Sequence, residues 1–221
     1  MTLTYRLFRF LARIYFKLMG GFEVLHQDRV PSAGPVILAS NHVSFADPPA
    51  CGAASNRPLR FMAQAELFKP PVFGPLIRAL GAFPIRRGEA DTEAIRAALD
   101  TMAKGGALVV FPEGSRGDGR KLIKPLKGLA LIAKKSGAQV VPVAVCGSFK
   151  MLPKGAKFPR RSKIKVIFGR PFTYASAAEQ SDKEAAADQF GSYLMSEIQR
   201  LLAEGGEHYE LWNGSGENAS A

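Results

Sequence analysis

Cysteine is almost missing: the 221-residue chain has two, Cys51 and Cys146. They are far apart and lack metal-ligand spacing, which argues against a zinc site, and nothing in them demands an oxidising compartment. Each lies in an apolar stretch and reads as a buried free thiol. Histidine is nearly as scarce, with only His26, His42 and His208. No serine sits in a Gly-x-Ser-x-Gly elbow, which disfavours a covalent serine intermediate. No uninterrupted apolar run is long enough to span a bilayer, and no signal-peptide core with a small-residue cleavage site is evident. Internal repeats and interdomain linkers are absent too. So are the helix-turn-helix, RNA-recognition and zinc signatures of nucleic-acid binders.

Acidic residues are outnumbered, 19 against 30 lysines and arginines, for a formal net charge of +11. A surplus of this size implies an anionic partner: nucleic acid, an acidic membrane or a phosphorylated ligand. Without a nucleic-acid motif, the membrane and the phosphorylated ligand lead. The length suits one domain with a full core.

Apolar runs alternate with amphipathic segments. Runs 35–40, 59–63, 107–111, 140–145 and 163–168 read as buried strands, with shorter strands at 22–25 and 82–85, the latter edge-like because of Pro84. Helices are expected over 47 onward, 70–80, 91–104, 126–135 and 182–202. This alternation predicts a single α/β domain over 21–204 with a largely parallel, helix-covered sheet. From Gly205 to 221 the chain is polar and glycine-rich and is expected to be a flexible tail.

Residues 1–20 form a separate unit. Arg6, Arg9, Arg13 and Lys17 recur at steps of three and four and fall within a helical sector of roughly 80°. Each central cation would cost about 2.5–3.5 kcal/mol in a spanning helix. The segment therefore reads as an interfacial helix with its basic face toward lipid head groups. An ordinary core-packed helix is the alternative. A second basic stretch, from Lys150 through Lys154, Lys157, Arg160, Arg161 and Lys163 to Lys165, carries Phe149, Leu152 and Phe158. It reads as a surface for a membrane or for cofactor phosphates.

The chemistry concentrates at strand ends. In Asn41-His42-Val43-Ser44-Phe45-Ala46-Asp47 the histidine and aspartate can meet only if the chain turns between them. A junction from strand to helix, with Pro48-Pro49 in the first helical turn, supplies that turn. Asp47 would then hold one ring nitrogen of His42 and leave the other as a general base. Helix capping by Asp47 is the competing use of the same carboxylate. Glu113, Gly114 and Arg116 follow the strand at 107–111. Glu113 can accept from a polyol hydroxyl, and Arg116 can fork onto a phosphate. A solvated surface turn is the alternative. Arg86, Arg87 and Lys127 also fall at strand exits or helix starts, where anions are favoured.

These segments, in this order, resemble the glycerolipid acyltransferase family that includes the bacterial 1-acyl-sn-glycerol-3-phosphate acyltransferases. Residues 41–47 look like its histidine-x4-aspartate motif, and Gly81 to Arg87 look like the second motif. Phe111 to Arg116 look like the third, and Val141 to Val145 like the fourth. The resemblance implies transfer of an acyl chain from acyl-CoA or acyl-carrier protein to the sn-2 hydroxyl of lysophosphatidic acid, giving phosphatidic acid. It implies His42 as base, Asp47 as its orienter, and Arg87, Glu113 and Arg116 on the glycerol phosphate, with Gly114 and Lys127 beside them. No metal or redox cofactor is implied. The expected location is the cytoplasmic face of the cell membrane. Other acceptors, glycerol-3-phosphate or a lyso-aminolipid, and a catalytically silent peripheral membrane protein are the competing readings.

Overall fold

The computed structural model describes residues 2–85, 92–178 and 183–212. Its strands are β1 (Phe22–Leu25), β2 (Val36–Ser40), β3 (Leu59–Gln64), β4 (Ala82–Ile85), β5 (Ala107–Val110), β6 (Gln139–Cys146) and β7 (Ile164–Phe168). The helices are α1 (Leu3–Leu18), α2 (Asp47–Ala54), α3 (Phe73–Ala79), α4 (Thr92–Ala103), α5 (Lys127–Ser136), α6 (Ser148–Met151), α7 (Tyr174–Ala177) and α8 (Lys183–Glu204).

One seven-stranded sheet runs in the order β1-β7-β6-β2-β5-β3-β4. The five strands from β6 to β4 are mutually parallel, while β7 pairs antiparallel to β6 and carries β1 parallel to itself at the far edge. The expected largely parallel sheet is therefore present, and Pro84 does lie on an edge strand, β4. Burial on both faces explains why β2, β5 and β6 are apolar in continuous runs, Val36–Ala39, Ala107–Val110 and Val140–Cys146, rather than at alternate positions. Along β2, Ile37 and Ala39 pack with α4, α5 and α8, while Val36 and Leu38 pack with α1 and α2. The parallel register, Ala39 beside Val110 and Pro142, brings the exits of β2, β5 and β6 to one edge of the sheet.

Three expectations change. The helix at 70–80 is shorter, starting at Phe73 after a 3-10 turn over Ala65–Phe68. Gly74 is tolerated within it because a Cβ there would lie 2.3 Å from the Phe68 carbonyl oxygen. The flexible tail does not begin at 205. Tyr209 is buried, the Glu210 N–H and C=O bond to Arg120 and Leu122, and Glu207 accepts from the Gly147 N–H. Residues 205–212 thus close over the loop that follows β5.

The third change concerns α1. It buries Tyr5, Ala12 and Phe16 against the domain, and the Tyr5 hydroxyl accepts from the Leu59 N–H. Arg9 and Arg13 turn inward and donate to the Ala53 carbonyl at the C-terminal end of α2, where a cation suits the unpaired carbonyls. The face left to solvent is apolar: Leu3, Leu7, Phe10, Leu11, Ile14 and Leu18 are exposed and span a sector of roughly 100°. The basic sector therefore flanks an outward apolar face, and half of its cations serve the fold. Among the described residues, no helix is long and apolar enough to cross a membrane.

Candidate active site

Strand β2 ends at Ser40, and the next residue fixes the exit. Asn41 is fully buried; its side chain donates to the Val145 carbonyl and accepts from the Val145 N–H. The amide thus continues the sheet as a backbone would and ties the β2 exit to β6.

His42 follows and is held at four points. Its N–H donates to Glu113 Oε1 at 2.8 Å, and its carbonyl accepts from the Gly117 N–H at 2.8 Å. Its ring stacks on Phe111, with centroids 4.0 Å apart and planes at 22°. Its Nδ1 lies 2.9 Å from Asp47 Oδ2. The imidazole is 18% exposed and Asp47 is 0% exposed, so the ring reaches the surface while its partner does not. With Nδ1–H donated to the carboxylate, the Nε2 lone pair remains for an incoming proton.

Asp47 settles the competing use of its carboxylate. Helix α2 is capped by Ala46 without a side-chain bond, and Asp47 is its first residue, followed by two prolines. Asp47 Oδ2 reaches backwards and accepts the Val43 and Ser44 N–H groups, each at 2.8 Å. The carboxylate closes the turn and orients His42 with the same oxygen. Ser44 is spent on structure: its hydroxyl donates to the Leu152 carbonyl and accepts from the Ala46 N–H.

Glu113 is placed otherwise than the sequence suggests. It is 4% exposed, and both oxygens take backbone N–H groups, from His42 and from Ile123. In this geometry it anchors the His42 main chain rather than a polyol hydroxyl. Burial pushes its carboxyl up to about 7, against the opposing pull of those two N–H donors; Asp47 and Asp118 push the same way as burial. Gly114, at φ +67°, turns the chain where a Cβ would collide with Leu126 Cδ1 at 2.5 Å.

Arg116 lies beyond that turn with its guanidinium carbon 3.7 Å from the centre of the Phe45 ring, inside the histidine–aspartate segment. Two sequence segments about 70 residues apart thus share one cation–π contact. Lys127 opens α5 next to Leu126, whose N–H bonds the Pro112 carbonyl, so it stands beside the same loop. Arg86 and Arg87 lie outside the described residues; β4 ends at Ile85, on the same edge of the sheet. Neither cysteine offers a nucleophile. Both are free and buried, and burial pushes each thiol up to about 12.

Three site residues escaped the sequence: Asn41 as the clamp to Val145, Phe111 as the stacking partner, and Phe45 under Arg116. The one available signal was positional, since Asn41 and Phe111 each stand at or just past the end of an apolar strand.

Known proteins resemble this chain in sequence and fold. The sequence model of the Acyltransferase family matches residues 21–146, more than half of the chain. A 1-acyl-sn-glycerol-3-phosphate acyltransferase of Bacillus subtilis is 26% identical over 176 residues, 79% of this chain and 85% of that protein. A lyso-ornithine lipid O-acyltransferase of Pseudomonas aeruginosa is 36% identical over 125 residues, 56% of this chain and 47% of that protein. The chain spans about half the length of the plant chloroplast relatives it also matches. The crystal structure of a 1-acyl-sn-glycerophosphate acyltransferase from Thermotoga maritima superposes with a TM-score of 0.78 at 24% identity, covering 93% of this chain and 81% of that one, and shares the fold. The chain belongs to the Acyltransferase family.

Proposed function

We propose that this protein transfers an acyl chain from a thioester to the sn-2 hydroxyl of 1-acyl-sn-glycerol-3-phosphate. The observation that carries the reading is the His42 Nδ1 to Asp47 Oδ2 contact of 2.9 Å, with the ring clamped and partly exposed at the carboxyl edge of a parallel sheet. The acceptor oxygen attacks the thioester carbonyl carbon while His42 Nε2 takes its proton. Asp47 stabilises the imidazolium. The tetrahedral intermediate then collapses, the carbon–sulfur bond breaks, and the imidazolium returns the proton to the thiolate. The products are phosphatidic acid and a free thiol. A positioned base of this kind is typically worth about 10²–10⁴ in rate. The step as written needs no metal or redox cofactor; acyl-CoA or acyl-carrier protein serves as the second substrate.

Arg116, braced on Phe45, is the described cation best placed for the acceptor phosphate, with Lys127 and the arginines at 86 and 87 as further candidates. The outward apolar face of α1 suits an enzyme whose acceptor and product both reside in a bilayer. With a thioester donor drawn from the cytoplasm, the working leaflet is the cytoplasmic one.

A lyso-aminolipid acceptor is the second reading, favoured by the likeness to the Pseudomonas protein. The discriminating experiment is thiol release with lysophosphatidic acid or a phosphate-free lyso-aminolipid as acceptor. Turnover confined to the phosphate-free lipid would reject the first reading.

A further inference from the structure

The loop between α6 and β7, residues 152–163, has no part in the chemistry above. It reads LPKGAKFPRRSK, with five cations and no acid. Lys154, Lys157, Arg160 and Arg161 are exposed, and Phe158 is 80% exposed, level with the most exposed leucine of α1. Among the described residues, Lys163 pairs with Glu23 at 2.6 Å.

Two tethers fix where this loop sits. At its far end the Ser162 N–H donates to the Met19 carbonyl at 2.7 Å, one residue after the exposed Leu18. Gly20 makes that approach possible, since a Cβ there would lie 2.7 Å from the Ser162 carbonyl carbon. At its near end the Leu152 carbonyl accepts from the Ser44 hydroxyl at 2.7 Å, and Pro153 pairs with Ser44 as an isolated bridge. The loop closes on itself through Arg160 N–H to the Met151 carbonyl. It therefore runs from the turn that carries His42 and Asp47 to the end of the apolar stripe of α1.

We infer that residues 154–161 form a second membrane contact that works with α1 on one anionic phospholipid surface, with Phe158 inserted and the surrounding cations among the lipid phosphates. A solvated aromatic ring between cations has a physical use at that boundary, where one layer is apolar and the next carries negative charge. The loop continues an exposed apolar helix face. That continuity favours a lipid surface over an acidic protein, which the cations alone would also attract. The inference rests on the proposed function only in taking the acceptor from a bilayer. Vesicle binding is measured without turnover, so either can fail alone.

The test is co-sedimentation of the full chain with phosphatidylcholine vesicles and with vesicles containing phosphatidylglycerol. Replacing Lys157, Arg160 and Arg161 by glutamine should weaken binding to the anionic vesicles by roughly 100-fold, at about fivefold per cation near such a surface, and change little on neutral ones. Phe158→Ala should weaken binding several-fold on both. The thermal midpoint of each variant should match wild type, because these side chains are solvent-exposed. Folded variants that bind anionic vesicles like wild type would overturn the inference. So would variants that keep vesicle binding but lose binding to an acidic acyl-carrier protein, which would assign the loop to the donor.

Discussion

Asp47 Oδ2 lies 2.9 Å from His42 Nδ1 and at the same time accepts the N–H groups of Val43 and Ser44. One buried oxygen therefore sets both the ring orientation and the turn that presents it. Asp47→Asn can keep bonds to the turn through its carbonyl but loses the charge that supports an imidazolium. The expected result is a fall in kcat of about 10²-fold or more with KM little changed. Asp47→Ala should also unfold more easily, because each buried N–H left unpaired costs about 1–3 kcal/mol. Steady-state kinetics and denaturant melts separate the two effects.

Glu113 predicts a pH dependence of stability. Its carboxyl is raised from the ordinary 4.5 to about 7 in the fold. Between those values the folded chain holds a proton that the unfolded chain has released, so folding is favoured at the acid end. This contribution is full below about 4.5, declines as pH rises, and is gone above about 7, on the order of 3 kcal/mol in all. Glu113→Gln does not titrate, and its stability profile should be flatter over the same window. Parallel profiles for the two proteins would show that the glutamate is not raised.

Arg116 and Phe45 predict a binding effect. Arg116→Ala should raise the KM of a phosphate-bearing acceptor steeply, and Arg116→Lys should recover only part of it, since the fork is lost. Phe45→Ala removes the support of the guanidinium, a cation–π contact worth about 0.5–1 kcal/mol, or roughly two- to fivefold in KM with kcat kept. Phe45→Trp should restore it. Unchanged KM for both alanine variants would remove Arg116 from the phosphate site.

The two faces of α1 should respond differently. Phe16 is 1% exposed, and Phe16→Ala should cost about 3–5 kcal/mol of stability. Leu7, Leu11 and Leu18 are exposed, and replacing all three by glutamine should leave the melting temperature alone while lowering vesicle binding at least roughly tenfold. Removing the helix outright would confuse the two, because it takes Tyr5 and Phe16 with it.

Local order was legible in the sequence. The apolar run into Asn41-His42, the two prolines at the start of α2, the glycines after α1 and α4, and Pro84 on an edge strand all follow from short-range patterns. What was hidden depends on residues distant in sequence. Sequence alone offers Glu113 as a substrate ligand, whereas the pairing of β5 with β2 places it on the His42 N–H, 71 residues away in sequence. Arg9 and Arg13 looked like head-group ligands because the carbonyl they bind, on Ala53, belongs to another helix. Residues 205–212 looked like a tail because their pairing with Arg120 and Leu122 leaves no trace in local composition. The reversal of β7 and β1 was equally silent, since a buried strand reads the same in either direction.

The most direct test of the central claim is acceptor-dependent thiol release from acyl-CoA with lysophosphatidic acid in mixed micelles, for wild type and His42→Ala, with acyl-carrier protein as a parallel donor. The account predicts release by wild type with at least one donor and a loss of about 10²–10⁴ in the variant, with folding retained. A folded His42→Ala protein that releases thiol at the wild-type rate would contradict it.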